Sequence, residues 1–307
     1  MELAIDALIS RIDELGNPSC VGLDTCIEYL PEHWQQKCGS FEDAAKYIRD
    51  FNFGIIDAIS DIVPCVKVQI ACYEMYGIEG MRSFCDTINY ARSKGLSVIA
   101  DAKRGDIGST AKCYSAAYLG RAKLQGKELP AFESDFVTVN AYLGSDGIKP
   151  FLEDVGRCNK GIFILVKTSN PASGELQDRR FEDGRTLYEA MGDYVIEWGK
   201  PFIGRYDYSA VGAVVGCTHR RQAESLRKRL KGVFFLIPGY GAQGGKAEDI
   251  AVCFDEQGRG GIVNSSRAIL TAHQGTFKGL DFANAAREAA LIMREELSKA
   301  IKGRANG

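Results

Sequence analysis

The segment LSVIADAK, residues 96–103, is an apolar run that ends in an acid and a base. Successive side chains on a β-strand alternate between its two faces, so Asp101 and Lys103 lie on one face and Ala102 on the other. Asp106 follows within the continuation RGDIGSTA. A structural ion pair at a strand end and a charged active site both fit this pattern, and the rest of the chain has to distinguish them.

Seven further segments share this apolar or β-branched character. They are SCVGLD (19–24), CVKVQI (65–70), DFVTVNAY (135–142), GIFILVKTS (161–169), AVGAVVGCT (210–218), VFFLIPG (233–239) and GGIVNSS (260–266). Strands that are apolar almost throughout, each followed by an amphipathic helical stretch, indicate a parallel sheet covered on its outer face. Eight such units predict an α/β fold, a (β/α)₈ TIM barrel formed as a single domain by residues 1–307. An open doubly wound sheet is the alternative, but no GxGxxG follows the first strand.

The composition is that of an ordinary soluble protein. The chain has 307 residues, 45% of them hydrophobic and 25% charged, with a formal net charge of −2. These values give no reason to expect a nucleic-acid or membrane partner. The 10 cysteines are scattered without a CxxC, and the start MELAIDALISRIDEL is not that of a signal peptide. We therefore expect reduced thiols and a cytoplasmic location.

Polar and charged residues lie at the carboxyl ends of several predicted strands, which is where barrel enzymes carry their chemistry. A single lysine at such a place is more often a surface charge. A coincidence of charged residues at the ends of four strands indicates an active site instead. The charged and polar residues at the strand ends are Asp24, Lys67, Asp101, Lys103, Asn140, Ser169, Thr218 and Arg267.

A glycine-rich turn, PGYGAQGG at 238–245, follows the seventh predicted strand. Its backbone N–H groups, the Gln243 amide and the nearby Arg267 would suit a phosphate group, and the loops after strands seven and eight are the usual phosphate site of this fold. A small phosphate monoester is the implied substrate. The polar stretch 170–186 is predicted to be a mobile loop over one end of the barrel. The three histidines are far apart in the sequence, so no metal site is expected.

These motifs resemble those of the orotidine 5′-phosphate decarboxylase family. DAKRGDIGST at 101–110 is similar to that family's DxKxxD signature, and the resemblance extends over nearly the whole chain. It includes GLD (22–24), VKVQ (66–69), VKTSNP (166–171), PGYGAQGG (238–245) and SSRAI (265–269). The segment FVTVNAYLGSDGIKPF (136–151) and the chain length look like the longer bacterial subgroup.

The resemblance implies four catalytic residues. Lys103 would be the catalytic ammonium, with Asp101 as its carboxylate neighbour, and Lys67 would hold Asp101 and a ribose hydroxyl. Asp106, together with Thr110, would reach into the site of the neighbouring subunit. The active unit would then be a homodimer with shared active sites.

The resemblance also implies contacts to each part of the substrate. Asp24 would bind the ribose, Ser169 the pyrimidine, and Gln243 with Arg267 the phosphate. Asn140 would have a ribose or support role, and Thr168 would share the pyrimidine contact. The expected substrate-binding residues are Asp24, Thr110, Asn140, Thr168, Ser169, Pro238, Gly241, Gln243, Ser266 and Arg267.

The implied reaction is the decarboxylation of orotidine 5′-phosphate to UMP, the last step of pyrimidine nucleotide synthesis. A lysine ammonium beside C6 would stabilise the carbanion and then protonate it. The resemblance implies no metal, flavin or pyridoxal cofactor.

Three alternatives stay open at this point. A magnesium-dependent sugar-phosphate decarboxylase or synthase could use the same scaffold, but it would need a further acid beside the motif. A Schiff-base aldolase could use Lys67 or Lys167 as a desolvated nucleophile. An inactive barrel could serve as a binding or scaffold protein, although the intact set of charged residues argues against it.

Overall fold

Eight parallel strands close into a barrel in the computed structural model, which describes residues 2–241 and 245–305. The order around the barrel is β1-β8-β7-β6-β5-β4-β3-β2, as expected when each strand is added beside the previous one. The strands are β1 (Ser19–Gly22), β2 (Cys65–Gln69), β3 (Ser97–Arg104), β4 (Phe136–Val139), β5 (Gly161–Lys167), β6 (Ser209–Val215), β7 (Val233–Pro238) and β8 (Gly261–Ser265). The predicted (β/α)₈ barrel is confirmed, and all eight strands fall within the segments proposed from the sequence or one residue beyond them.

Helices cover the outside of this barrel. They are α1 (Ala4–Leu15), α2 (Glu32–Gln35), α3 (Phe41–Ile59), α4 (Ala71–Glu74), α5 (Gly77–Ser93), α6 (Gly108–Tyr118), α7 (Ser145–Cys158), α8 (Gly174–Gln177), α9 (Leu187–Gly199), α10 (Arg220–Arg229), α11 (Ala247–Ile250), α12 (Arg267–Leu270) and α13 (Phe282–Ala305). Single 3₁₀ turns lie at Ile27–Tyr29, Pro171–Ser173, Lys200–Phe202, Ala251–Cys253 and Ala272–Gln274.

The strands are buried on both faces, which explains why their sequences are apolar almost without interruption. Every residue of β1, β4, β6 and β8 is buried. One face fills the barrel interior and the other packs against the helices, so each strand needs apolar side chains at consecutive positions. The few polar residues within the strands include Lys67, Asp101 and Thr138, and all three line the cavity at the carboxyl ends of the strands.

Two features differ from the expectations. A two-stranded antiparallel hairpin, Ala122–Leu124 with Lys127–Leu129, lies between α6 and β4 and was not predicted. The stretch 170–186 contains a 3₁₀ turn and α8. Asp178 within it forms an ion pair with Lys167 at the end of β5, with 2.8 Å between Lys167 Nζ and Asp178 Oδ1. This stretch therefore contains helical turns that were not predicted, and a specific ion pair joins it to the barrel.

Two further observations concern the state of the cysteines and the apolar character of the helices. All ten cysteines lie within the described residues, and all are free thiols. Among the helices of residues 2–241 and 245–305, none combines the length and the apolar character that crossing a bilayer requires.

Candidate active site

A cavity of about 600 Å³ opens at the carboxyl ends of the barrel strands. Its wall is asymmetric: charged residues come from β1–β3, apolar residues from β5–β7, and the glycine-rich turn with Arg267 from β7 and β8. The residues that line it are Asp24, Tyr29, Lys67, Gln69, Asp101, Lys103, Thr138, Leu165, Thr168, Ser169, Asn170, Gln177, Val214, Leu236, Pro238, Gly239, Tyr240, Asn264, Ser266 and Arg267.

Four side chains of alternating sign form a continuous charged ladder, which we define as Asp24, Lys67, Asp101 and Lys103. Lys67 Nζ lies 2.9 Å from Asp24 Oδ1 and 3.0 Å from Asp101 Oδ2. Lys103 Nζ lies 2.6 Å from Asp101 Oδ1. Asp101 and Lys103 thus share one face, as the period-two alternation predicts.

Burial and charge act in opposite directions on the centre of the ladder. Burial disfavours the charged form of Asp101, but the Lys67 and Lys103 ammonium groups outweigh it and hold the Asp101 pKa well below its usual value. Burial likewise opposes the charge on Lys67, yet the carboxylates of Asp101 and Asp24 raise the Lys67 pKa well above its usual value. Both groups are therefore ionised at neutral pH.

Two residues that the sequence reasoning missed complete the coordination of Asp101. Gln69 Nε2 donates to Asp101 Oδ2 at 2.9 Å, and Thr138 Oγ1 donates to Asp101 Oδ1 at 2.8 Å. Gln69 lies two positions after Lys67 on β2, so the period of two could have identified it. Thr138 lies on β4 two positions before Asn140, which follows the strand and does not line the cavity, so periodicity gave no signal for Thr138.

The Asp24 end of the ladder depends on a close approach between β1 and β8. Ser266 Oγ donates to Asp24 Oδ2 at 2.8 Å. A Cβ at Gly22 would lie 2.0 Å from that Ser266 Oγ, so only glycine permits this arrangement.

The segment after β5 places Thr168 and Ser169 in the cavity wall. Gln177 holds it: Thr168 N donates to Gln177 Oε1 at 3.0 Å, and Gln177 Nε2 donates to Thr168 Oγ1 at 2.8 Å. Thr168 Oγ1 in turn donates to Asn170 Oδ1 at 2.6 Å. The only proton of the Thr168 hydroxyl is thus already donated, so this oxygen has only an acceptor lone pair left for a substrate.

The β7–β8 side brings Pro238, Tyr240 and Arg267 to the cavity. Gln243 lies outside the described residues. Gly241, expected in the same site, instead lines an adjacent cavity between the glycine-rich turn and α13.

Three predicted residues do not reach the cavity of their own chain. Asp106 Oδ1 accepts from the backbone N of Ile107 at 2.8 Å, and Thr110 is exposed on α6. Asn140 is also exposed, and its Oδ1 accepts from Tyr142 N at 3.1 Å, a contact within the turn after β4.

The donor set also bears on metal binding. Among the described residues, no group of three or more His, Cys, Asp or Glu side chains is arranged to hold a metal ion. The two carboxylates inside the cavity, Asp24 and Asp101, are instead committed to ammonium groups.

Barrel and site together define a class: a (β/α)₈-barrel enzyme whose cavity holds lysine ammonium groups paired with carboxylates. A family model described as "Orotidine 5'-phosphate decarboxylase / HUMPS family" matches residues 19–277. The chain belongs to this family.

Individual relatives agree with the assignment. Orotidine 5′-phosphate decarboxylase of Clostridium tetani is 43% identical over 302 residues, which covers 98% of this chain and 100% of the relative. A crystal structure from Streptomyces avermitilis, assigned as orotidine 5′-phosphate decarboxylase, superposes with a TM-score of 0.80 at 30% identity, covering 98% of this chain and 97% of that one. A Toxoplasma gondii structure with the same assignment gives 0.79 at 28% identity, covering 98% of both chains.

Proposed function

We propose that this cavity converts orotidine 5′-phosphate to UMP and CO₂, the last step of pyrimidine nucleotide synthesis. One observation carries the proposal: Lys103 Nζ lies in the cavity, 2.6 Å from Asp101 Oδ1, as the last member of the charged ladder. Family membership and the activity named for relatives over almost the full chain length support it.

Three regions of the cavity match three parts of this substrate. Arg267 and the backbone of the turn that begins at Pro238 suit the phosphate. Asp24 and Lys67 suit the ribose hydroxyls, because a carboxylate accepts and an ammonium donates hydrogen bonds. The apolar wall beside Ser169 suits the pyrimidine ring, with Ser169 able to bond its polar edge.

The chemistry requires a cation at C6. Loss of CO₂ breaks the bond from C6 to the carboxylate carbon and leaves the electron pair on C6. The Lys103 ammonium stabilises this charge and then donates a proton to C6, and the resulting amine regains a proton from water. Asp101 fixes the ammonium in place and stays ionised throughout.

The electrostatics support this reaction over the alternatives. A magnesium-dependent sugar-phosphate decarboxylase needs carboxylates available to a cation. Here Asp24 and Asp101 both pair with Lys67. The residue two positions after Lys67 on β2 is Gln69, not an acid. A Schiff-base nucleophile must be a neutral amine, whereas the carboxylates raise the pKa of Lys67. Lys167 is fully buried and paired with Asp178.

A homodimer with shared sites is part of the proposal. Large apolar side chains are exposed on the segments after β2, β3 and β4: Met75, Ile78, Ile107, Tyr142 and Leu143, with Tyr142 83% exposed. We call these five residues the apolar rim. The segments after β3 and β4 touch, since a Cβ at Gly105 would lie 2.7 Å from Asn140 O. Exposed apolar side chains grouped on segments after neighbouring strands are typical of an interface.

Asp106 and Thr110 lie beside this rim and outside their own cavity. A partner docked on the rim would receive both side chains at its cavity, next to its own Lys103. Association through a two-fold axis would then complete two sites at once.

The proposal also covers the extent and location of the protein. Residues 1–307 are proposed as one domain, since α1 and α13 both contact barrel strands. A cytoplasmic location fits ten free thiols.

The test is loss of orotate-type absorbance when orotidine 5′-phosphate is added to the purified protein in the presence of EDTA. We expect the same rate with and without the chelator, and release of CO₂ equal to the UMP formed. Activity that disappears with EDTA and returns with magnesium would favour the sugar-phosphate alternative. Absence of any turnover with a folded protein would overturn the proposal.

A further inference from the structure

Thr138 on β4 contacts the reaction centre through two hydrogen bonds. It lies within the segment FVTVNAYLGSDGIKPF, yet no role for it follows from the sequence. It is 1% exposed and lines the cavity beside Asp101. A buried hydroxyl in an otherwise apolar strand has to be hydrogen-bonded, and the identity of its partners indicates what it does.

The strand beside Thr138 is irregular at the reaction centre. The pairs between β3 and β4 are Ile99 with Phe136, Ala100 with Val137, and then Arg104 with Val139. Residues 101–103 therefore lie opposite Thr138 alone, which makes this a β-bulge that re-aims the side chains of β3. The regular ladder is interrupted where the catalytic lysine lies.

The backbone of Lys103 has an unusual conformation within this bulge, with a φ of 47°. For a residue with a Cβ this left-handed region costs roughly 1–2 kcal/mol, so the surroundings must hold the residue there. The hydrogen bond from Lys103 N to Thr138 Oγ1, 2.9 Å long, holds it.

The same hydroxyl also fixes the other end of the lysine. Thr138 Oγ1 donates to Asp101 Oδ1 at 2.8 Å, and this is the oxygen that Lys103 Nζ contacts at 2.6 Å. The Lys103 backbone N, the Thr138 hydroxyl, the Asp101 carboxylate and the Lys103 ammonium thus form a closed ring of hydrogen bonds. Through it the Thr138 side chain fixes both the backbone of Lys103 and the position of its ammonium.

We propose that Thr138 is the positioning residue of Lys103, holding its strained backbone and the carboxylate that orients its ammonium. This inference rests on the proposed function of Lys103. Because Thr138 acts on the ammonium and not on the phosphate or ribose contacts, its loss slows the chemical step while substrate binding is kept.

Two substitutions separate the hydroxyl from the shape of the side chain. Thr138→Val keeps the volume and β-branching and removes both hydrogen bonds, whereas Thr138→Ser keeps the hydroxyl. For Thr138→Val we expect kcat to fall about 10- to 100-fold, with KM and the Kd for UMP changed less than about threefold. For Thr138→Ser we expect kcat within about threefold of the parent protein.

The matched control is Thr87→Val on α5, which removes another buried hydroxyl, one that accepts from Asn52 Nδ2 at 3.3 Å. It should lower the unfolding midpoint and leave kcat unchanged. A Thr138→Val protein with parental kcat overturns the inference, as does a Thr138→Ser protein as slow as Thr138→Val. If Thr138→Val does not fold, Thr138→Ala is compared with Thr138→Ser in the same way. If the parent protein does not decarboxylate orotidine 5′-phosphate, the proposed function has failed before the variants are compared.

Discussion

Asp101 accepts hydrogen bonds from four side chains with two carboxylate oxygens, and this saturation makes its burial tolerable. Lys67 and Gln69 donate to Oδ2, and Lys103 and Thr138 donate to Oδ1. A carboxylate this buried without partners would cost several kcal/mol. The group that we propose orients the catalytic ammonium is therefore also a group on which stability depends.

The sequence predicts only part of this arrangement. The Asp101–Lys103 partnership follows from alternation along one strand, and the Lys67 contact follows from the resemblance. The Thr138 and Gln69 contacts depend on the register of neighbouring strands, and in β3 that register is broken by a bulge. Local periodicity carries no information about such a break.

Lys103→Ala should separate activity from stability. Its side chain is 45% exposed, so its ion pair with Asp101 contributes no more than about 1 kcal/mol to the free energy of unfolding. Turnover should fall by at least about 10³-fold, because the cation at C6 and the proton donor are lost together. Steady-state rates and urea unfolding measure both effects. A folded variant with a tenth of the parental activity would contradict the role assigned to Lys103.

Lys67→Met, in contrast, should lower the free energy of unfolding strongly. Removing this ammonium, whose side chain is only 6% exposed, leaves two carboxylates, Asp24 and the buried Asp101, without the cation between them. Breaking a buried pair from one side costs about 3–5 kcal/mol, measurable by urea unfolding at pH 7. The control is Lys46→Met, which breaks an exposed helical pair with Asp50 and should cost about 0.5 kcal/mol or less. Equal losses in the two variants would show that Lys67 is not structurally important.

The stability gap between the parent and Lys67→Met should depend on pH in a defined direction. The Asp101 pKa is lowered in the folded state, so its contribution is present above the unfolded value of about 3.9 and is lost as the pH falls below it. In the variant, protonation of Asp101 relieves the unpaired charge in the same range. The gap measured by urea unfolding should therefore shrink between about pH 5 and pH 3. A constant gap over that range would mean that Asp101 is not the group responsible.

At the scale of elements, the strands were predictable and the connections were not. Burial on both faces leaves a continuous apolar run, which is visible without any tertiary information. The hairpin 122–129 lacks this mark, since all six of its strand residues are exposed, and only the tight turn at Gln125 and Gly126 indicates it. Similarly, the ion pair between Lys167 and Asp178, which attaches the polar stretch 170–186 to the barrel, could not be predicted, because the sequence does not show that these two residues are close in space.

The proposed phosphate contact of Arg267 depends on how two elements meet, because Arg267 is the first residue of α12 and only Ser266 separates it from β8. Arg267→Ala should lower kcat/KM by about 100-fold or more, since a charge-assisted contact is lost and phosphate binding energy no longer helps to close the site. The Kd for UMP should rise as well. Arg205→Ala, which removes an exposed arginine paired with Glu2, is the control and should change neither value. A variant that binds UMP as tightly as the parent would place the phosphate elsewhere.

At the scale of the whole molecule, composition gives no indication of a second subunit. A net charge of −2 and 45% hydrophobic residues describe monomers and dimers equally well. The structure adds two observations, the apolar rim and the position of Asp106 outside its own cavity. Because of that position, the cavity of a single chain lacks Asp106, the second carboxylate of the segment DAKRGDIGST. These two observations together make the shared site testable.

Two inactive variants should restore each other if the sites are shared. Lys103→Ala and Asp106→Ala are unfolded together and refolded as an equal mixture. In a two-fold heterodimer, one site then carries both lesions and the other carries neither. Random pairing makes about half of the dimers mixed, so roughly a quarter of all sites should be active. The rate per subunit, compared with refolded parent protein, measures that fraction.

The opposite assignment gives a different number. If Asp106 acts in its own subunit, every site in every dimer retains one lesion, and mixing restores nothing. Heterodimer formation has to be shown independently, for example with a charge tag on one variant and native mass spectrometry. A mixture with heterodimers present and no activity would contradict the shared site, while each variant refolded alone controls for partial activity. Recovery near a quarter requires that Lys103 of one chain and Asp106 of the other complete the same cavity.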